Sequence, residues 1–207
     1  MDKKITPQPS DETPQIQDES REGVNLAKII QFFKLFHPKY TETFIRLDRF
    51  TDLDIDKIRE STGVEIKGII LDVDCCIAPH HGEILPENLE HLRKLIAKGV
   101  KIVIYSNMEW SERYGDLQDK IPVLTNLPPK PDPEGFEVAV QRLGVPKENV
   151  VMVGDNYLTD GGAIGAGIKF IHINPIKREH EGFVEKIQNA LRAVGIFLSR
   201  FHEGNKR

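Results

Sequence analysis

Hydrophobic and polar positions fall in blocks along this chain, and each change of period marks an element. Residues 1–22 hold three prolines and almost no aliphatic side chains, which predicts a disordered tail. "VNLAKIIQFFKLFHPKY" then turns strongly apolar. At helical spacing Leu26, Ile29, Ile30, Phe32, Phe33 and Phe36 share one broad face, and Lys28, Gln31 and Lys34 take the other. Two readings fit this helix. One docks it on the core; the other lays residues 24–36 in a membrane interface, where phenylalanines opposite lysines suit the headgroup boundary.

From residue 66 the pattern becomes regular. "IKGIILDV", "VKIVIYSN", "NVVMVGDN" and "IKFIHIN" are nearly continuous apolar runs, as expected of strands buried on both faces. "IPVLTN" reads as a short additional strand. Between them "PENLEHLRKLIAKG" and "DPEGFEVAVQRLG" carry helical stripes, Leu89, Leu92 and Ile96 in the first and Phe136, Ala139, Val140 and Leu143 in the second, with Gly99 and Gly144 as stops. A short glycine-rich helix precedes the last strand. "GFVEKIQNALRAVGIFLSRF" closes the chain as an amphipathic helix through Phe183, Ile187, Leu191 and Val194. Strands alternating with helices predict an α/β fold, a doubly wound, Rossmann-like parallel sheet. The expected organisation is a polar tail over 1–22, a helical lead-in over 23–62, the α/β core over 63–175, and a C-terminal helix with a basic tail over 176–207.

Composition narrows the setting. The 207 residues carry a net charge of −4, which gives no reason to expect nucleic-acid binding. No run is apolar enough to span a bilayer and the N-terminus is unlike a signal peptide. Two cysteines, side by side, cannot make a disulfide framework, so a reducing compartment, the cytoplasm, is expected.

In open α/β sheets ligands bind beyond the carboxyl ends of the strands. Here those ends bring together Asp72 and Asp74, then Ser106 and Asn107, then Lys130 in "LPPKPDPEGF", then Asp155 and Asp160 in "GDNYLTD". Clustered carboxylates need compensating cations. A lysine and a divalent metal with oxygen ligands, Mg²⁺ rather than zinc, supply them. A metal, a lysine and a hydroxyl around an acidic nucleophile suit phosphoryl transfer. The neighbouring Cys75-Cys76 and His80-His81 lack zinc-site spacing. "GGAIGAG" fails the dinucleotide template and follows the wrong strand. A response-regulator receiver would need its phosphorylated aspartate on a later strand, which "VIYSN" lacks.

In this order, Asp-x-Asp, strand-Ser, Lys-Pro and Gly-Asp-x-x-x-x-Asp, the motifs resemble the haloacid dehalogenase-like phosphatase superfamily over about residues 64–175. The resemblance implies Asp72 as nucleophile and Asp74 as the acid that protonates the leaving alcohol, then the base that activates water. It implies Ser106 and Asn107 around a phosphoryl oxygen and Lys130 neutralising phosphate and nucleophile. Mg²⁺ would lie at Asp72, the Asp74 carbonyl and Asp155, with Asp160 supporting it. The intervals from Asp72 to Ser106 and from Ser106 to Lys130 leave no room for a separate lid domain, so an open crevice is expected.

"HPKYTETFIRL", "KPDPEGFEVAVQRLGV" and "VVMVGDNYLTDGGAIGAGIKFIHINPIKREHEGF" further resemble the capless phosphatidylglycerophosphatase branch of that superfamily. That branch implies a phospholipid headgroup as substrate, phosphatidylglycerophosphate converted to phosphatidylglycerol at a membrane surface. Basic residues Lys177, Arg178, Lys186, Arg192, Arg200, Lys206 and Arg207 fit either an anionic lipid surface or a solvated helix face. The alternatives are a phosphoprotein or nucleotide phosphatase, or a catalytically weakened binding protein. The last draws on a departure from pattern: Cys75-Cys76 stands where the family has Asn-Thr or Gly-Thr. His80 and His81 fit a headgroup contact or a plain exposed loop.

Overall fold

A computed structural model describes residues 26–107, 120–124, 127–177 and 182–205; the predicted disordered tail over 1–22 lies outside them. Five strands, β1 (Ile45–Leu47), β2 (Gly68–Leu71), β3 (Lys101–Ile104), β4 (Val150–Gly154) and β5 (Lys169–Ile173), form one sheet in the order β1-β5-β4-β2-β3. Every pairing is parallel. β2 and β4 are buried along their whole length, which is why their sequences are unbroken apolar runs.

Strand residues alternate between two cores. Ile69 and Leu71 of β2 face a core shared with Ile58 of α2 (Ile55–Thr62) and Leu92 and Leu95 of α3 (Pro86–Ala97). Ile70 faces the opposite core, with Phe136, Ala139, Val140 and Leu143 of α4 (Pro133–Leu143), the stripe the sequence predicts. The sheet is thus covered on both sides, and the doubly wound α/β expectation holds. Pro86 opens α3, and Gly63 and Gly144 end α2 and α4 in the left-handed region, as helix stops require. The short glycine-rich α5 (Gly162–Gly165) precedes β5.

Three elements differ from expectation. "IPVLTN" supplies a single bridge, Ile104 to Val123, among the described residues; the proline and the short run leave it no ladder to extend. The lead-in is not wholly helical, since Ile45–Leu47 joins the sheet as an edge strand beside β5. Helix α1 (Leu26–Lys34) docks by a different face from the one its periodicity favours. Gln31 is buried and its Nε2 donates to the Tyr157 carbonyl at 3.2 Å. Leu35 is buried just beyond, while Leu26, Ile29, Ile30, Phe33 and Phe36 stay exposed. Satisfying a buried carbonyl decides the docked face, and the phenylalanines are left outside.

The C-terminal helix α6 (Phe183–Gly204) behaves alike. Of its predicted stripe, Leu191 packs on the core and Val194 is half-buried, while Phe183 and Ile187 are exposed. Gly195 and Ser199 are the buried contacts instead. A β-carbon at Gly195 would lie 3.0 Å from Tyr157 Cβ, so glycine lets the helix axis approach that ring. Ser199 Oγ donates to the Thr41 carbonyl at 2.8 Å, and Arg46 pairs with Glu203 at 3.1 Å.

Close approach also governs Gly135 on α4, where a β-carbon would fall 1.8 Å from Tyr105 Oη. That hydroxyl donates to the Pro128 carbonyl at 2.5 Å and orders the segment leading to Lys130. Gly135→Ala should therefore lower unfolding free energy by about 1–3 kcal/mol, read from urea denaturation.

Candidate active site

The parallel register puts the acidic motifs on one edge. Leu71 is level with Ile104 on one side and Val153 on the other. The next residues, Asp72, Tyr105 and Gly154, are level at the sheet's edge, Gly154 still paired with His172 of β5, and Asp72 N–H donates to the Val153 carbonyl at 3.0 Å. Ser106 and Asp155 follow at the same edge, both buried.

Within this edge the carboxylates of Asp72, Asp155 and Asp160 offer ligand atoms all within 4.8 Å of one another. Lys130 is 1% exposed, and its Nζ lies 2.8 Å from Asp72 Oδ1 and 2.5 Å from Asp160 Oδ1. The other Asp160 oxygen accepts the N–H groups of Asp155 and Asn156 at 3.1 and 3.0 Å. Asp160 is not the cap of α5, whose N-cap is Gly161, but it belongs to the carboxylate group that could hold a cation. It is the brace between Lys130 and the strand β4 turn. Gly154 makes room for it: a β-carbon there would lie 2.3 Å from Asp160 Oδ2.

Burial dominates the titration of the cluster. It pushes Asp72 well above the usual carboxylate range, aided by Asp160 and opposed by Lys130. It pushes Asp155 up to about 7, opposed chiefly by the Arg192 guanidinium. Burial pulls Lys130 down, yet Asp160 and Asp72 together raise it above its ordinary value. The cluster holds more negative than positive charge when ionised and stores that excess as raised carboxylate affinity for protons. Neither Asp155 oxygen is hydrogen-bonded, though both are buried. Oδ2 faces Arg192, and the Oδ1 left open beside the Asp72 carboxylate fits a divalent cation, which Asp72 and Asp155 would hold.

Asn107 has a role the sequence did not reveal. Its Oδ1 accepts the Lys130 N–H at 2.8 Å and its Nδ2 donates to the Lys130 carbonyl at 3.2 Å, so it fixes the main chain from which the lysine projects. Asp74 stands apart from the three clustered carboxylates. It is partly exposed, and Oδ1 accepts the His81 N–H at 2.8 Å. That loop is tied down when Cys76, Ile77 and Ala78 donate to the Val73 carbonyl and Asn88 Nδ2 donates to the Ile77 carbonyl at 2.8 Å.

Arg192 is a residue that sequence reasoning did not assign to the site. Helix α6 carries it 2.5 Å from Asp155 Oδ2 through Nε, outside hydrogen-bond alignment. It lies one helical turn before Gly195, so the glycine contact with Tyr157 that seats the helix also brings the guanidinium over β4. The expected open crevice has one side walled by this helix.

The cysteines are structural. Cys76 is fully buried in the core with Ile77 and Ala78, and Cys75 is 6% exposed. Cys75 adopts φ 63°, the left-handed region that favours glycine or asparagine, the residue types found there in the family it resembles. Burial pushes the Cys75 thiol up to about 12 and raises Cys76 as well, so both stay protonated at neutral pH.

A family model, haloacid dehalogenase-like hydrolase, matches residues 12–167. Among curated proteins, none matches the chain. Solved structures similar to it include a CbbY mutant from Rhodobacter sphaeroides in complex with xylulose-(1,5)bisphosphate. That one is 15% identical over 56% of this chain and 90% of that one, TM-score 0.42. An uncharacterized protein from Corynebacterium glutamicum is 22% identical over 62% of this chain and 96% of that one, TM-score 0.43. The cobalt-bound deoxy-D-mannose-octulosonate 8-phosphate phosphatase from Haemophilus influenzae is 15% identical over 67% and 90%, TM-score 0.43.

Two outcomes follow from this geometry. Asp160→Ala removes the brace from a buried ammonium and should cost about 3–5 kcal/mol in thermal or urea unfolding. Native protein at neutral pH should resist thiol reagents, with both cysteines reacting only after denaturation, because burial keeps both thiols protonated and out of reach.

Proposed function

This chain belongs to the haloacid dehalogenase-like hydrolases, and from that premise we propose that it hydrolyses phosphomonoesters through an aspartyl-phosphate on Asp72. The observation that supports this most is the buried set of Asp72, Asp155 and Asp160 around Lys130. An Asp72 carboxylate oxygen attacks phosphorus as the bond to the leaving alcohol breaks, and Asp74 gives that alcohol its proton. Asp74 then takes a proton from water, whose oxygen attacks the same phosphorus and returns Asp72 to a carboxylate. Lys130 neutralises the phosphoryl oxygens, and the buried Ser106 hydroxyl sits at the same sheet edge to donate to one of them. A divalent cation, Mg²⁺ in our reading, held by Asp72 and Asp155 would supply the remaining charge neutralisation.

The substrate we propose is phosphatidylglycerophosphate, converted to phosphatidylglycerol at a membrane surface. Support comes from the resemblance of "GDNYLTD" and the following strand and "NP" to the capless branch. It comes also from the apolar side chains left outside: Leu26, Phe33 and Phe36 are 71%, 68% and 57% exposed, and Phe197 and Phe201 on α6 are 65% and 54%. Each such side chain contributes about 1.5–3 kcal/mol when fully buried, and Lys34 and Lys39 lie beside Tyr40 at the end of α1, placed for anionic headgroups. No helix among the described residues is long and apolar enough to cross a membrane. A second reading, a weakened phosphate-binding protein on the same fold, draws on Cys76, whose thiol replaces a family hydroxyl.

Purified protein with Mg²⁺ should release phosphate from phosphatidylglycerophosphate, and Asp72→Asn should reduce this by about a thousandfold or more. Turnover of soluble sugar phosphates with none of the lipid would remove the lipid assignment. Phosphate binding without any turnover would favour the second reading. Replacing Ile29 and Phe33 together by serine should lower co-sedimentation with anionic vesicles several-fold while soluble-ester hydrolysis is retained; unchanged sedimentation would remove the surface assignment.

A further inference from the structure

Beyond the carboxylate cluster, helix α6 and the loop after Asp74 flank a second, partly open space. It is a cavity of about 20 Å³ lined by His80, Lys177, Gln188, Asn189 and Arg192, with Glu185 the one carboxylate on its wall among the described residues. Glu185 is already engaged, since its Oε2 accepts the Gly182 N–H at 2.7 Å. Beside Cys75, Pro175 and Ile176, the polar groups that line the space are mostly donors and cations: one guanidinium, one ammonium, an imidazole and two carboxamides.

Its position relates it to the leaving group. Cys75, next to Asp74, also lines it. The His80 ring lies against that of His81 at a 48° tilt, centroids 3.9 Å apart, and the His81 N–H holds Asp74 Oδ1. The cavity thus adjoins the carboxyl group assigned to protonate the departing alcohol.

Arg192 connects this space to the cluster. A guanidinium offers five N–H donors in a planar fork. Here Nε is turned to Asp155 Oδ2 and Nη1 donates to Asn189 Oδ1, so donors remain for a further acceptor at the cavity side. The side chain is 11% exposed, which keeps any such contact poorly screened and strong. The helix is pinned in the two turns that follow it, by the close approach of Gly195 to Tyr157 and by Ser199 on Thr41. Arg192 is held in place as part of the fold rather than tumbling in solvent.

We propose that Arg192 is a specificity residue: it binds an anionic group on the alcohol half of the substrate, so that the enzyme selects phosphomonoesters carrying a second negative charge. This rests on the hydrolase reading above and names the substrate class for that site. A carboxylate or a phosphodiester satisfies the same chemistry. Lys177 and the Gln188 and Asn189 amides would share the contact.

The test compares phosphoglycolate with 2-hydroxyethyl phosphate, esters of similar size that differ by the carboxylate. Wild type should show kcat/KM at least about tenfold higher for phosphoglycolate. Arg192→Gln should bring the two within about twofold, and Arg192→Lys should restore part of the preference. Binding of the same two esters to Asp72→Asn protein with Mg²⁺, with and without Arg192→Gln, is measured by calorimetry and should show the same loss of discrimination. Thermal melting establishes that each variant is folded. Equal loss for both esters would overturn the proposal and make Arg192 a support for Asp155 alone, as would wild type showing no preference in either measurement. Discrimination in binding without turnover by wild type would keep the Arg192 assignment and remove the hydrolase reading.

Discussion

A fully buried ammonium is stable only where carboxylates surround it, and the site is built on that constraint. Lys130 touches Asp72 from the first motif and Asp160 from the last, at 2.8 and 2.5 Å. Neither partner can leave without exposing a buried charge to a low-dielectric interior. The parallel register of β2 with β3 and β4 puts Asp72 level with Tyr105 and Gly154. Asn107 clamps the lysine main chain, and the Asp155 and Asn156 amides clamp Asp160. Each of these contacts exists to hold one charge in place, and together they define the nucleophile's surroundings.

The same arrangement explains why a cation belongs there. Lys130 balances one of the three carboxylates and Arg192 a second, and burial still pushes Asp72 and Asp155 upward. Asp155 has unbonded oxygens while Asp160 has none to spare. A divalent cation between Asp72 and Asp155 would relieve the charge that burial otherwise relieves by protonation. Phosphoryl transfer, in which most of the catalytic work is charge neutralisation, needs such a balance.

Much of this was legible in the sequence because the information is local. A strand buried on both faces is an unbroken apolar run, and a motif at its end falls on a known edge of the sheet. Asp72 and Asp155 could be placed together on that ground, and Lys130 and Asp160 only by their order in the motif set. Arg192 could not, since an arginine on an amphipathic helix reads as a solvated cation. Its place depends on Gly195 meeting Tyr157, a contact between distant segments. Gln31 was misassigned for a related reason: hydrophobic periodicity ranks faces by apolarity, whereas docking here was decided by the Tyr157 carbonyl. Tyr157 accordingly seats both terminal helices. The cysteine pair, which lacks metal-site spacing in the sequence, is buried in the structure, with Cys75 occupying a left-handed position.

The claim that Asp72 carries the phosphoryl group is tested most directly by trapping it. Acid quenching during turnover, followed by borohydride reduction, converts an aspartyl-phosphate to homoserine, and peptide mass spectrometry locates it. The account predicts homoserine at position 72, dependent on substrate and lost in Asp72→Asn. Turnover with unmodified Asp72, or with the label at another residue, would contradict it.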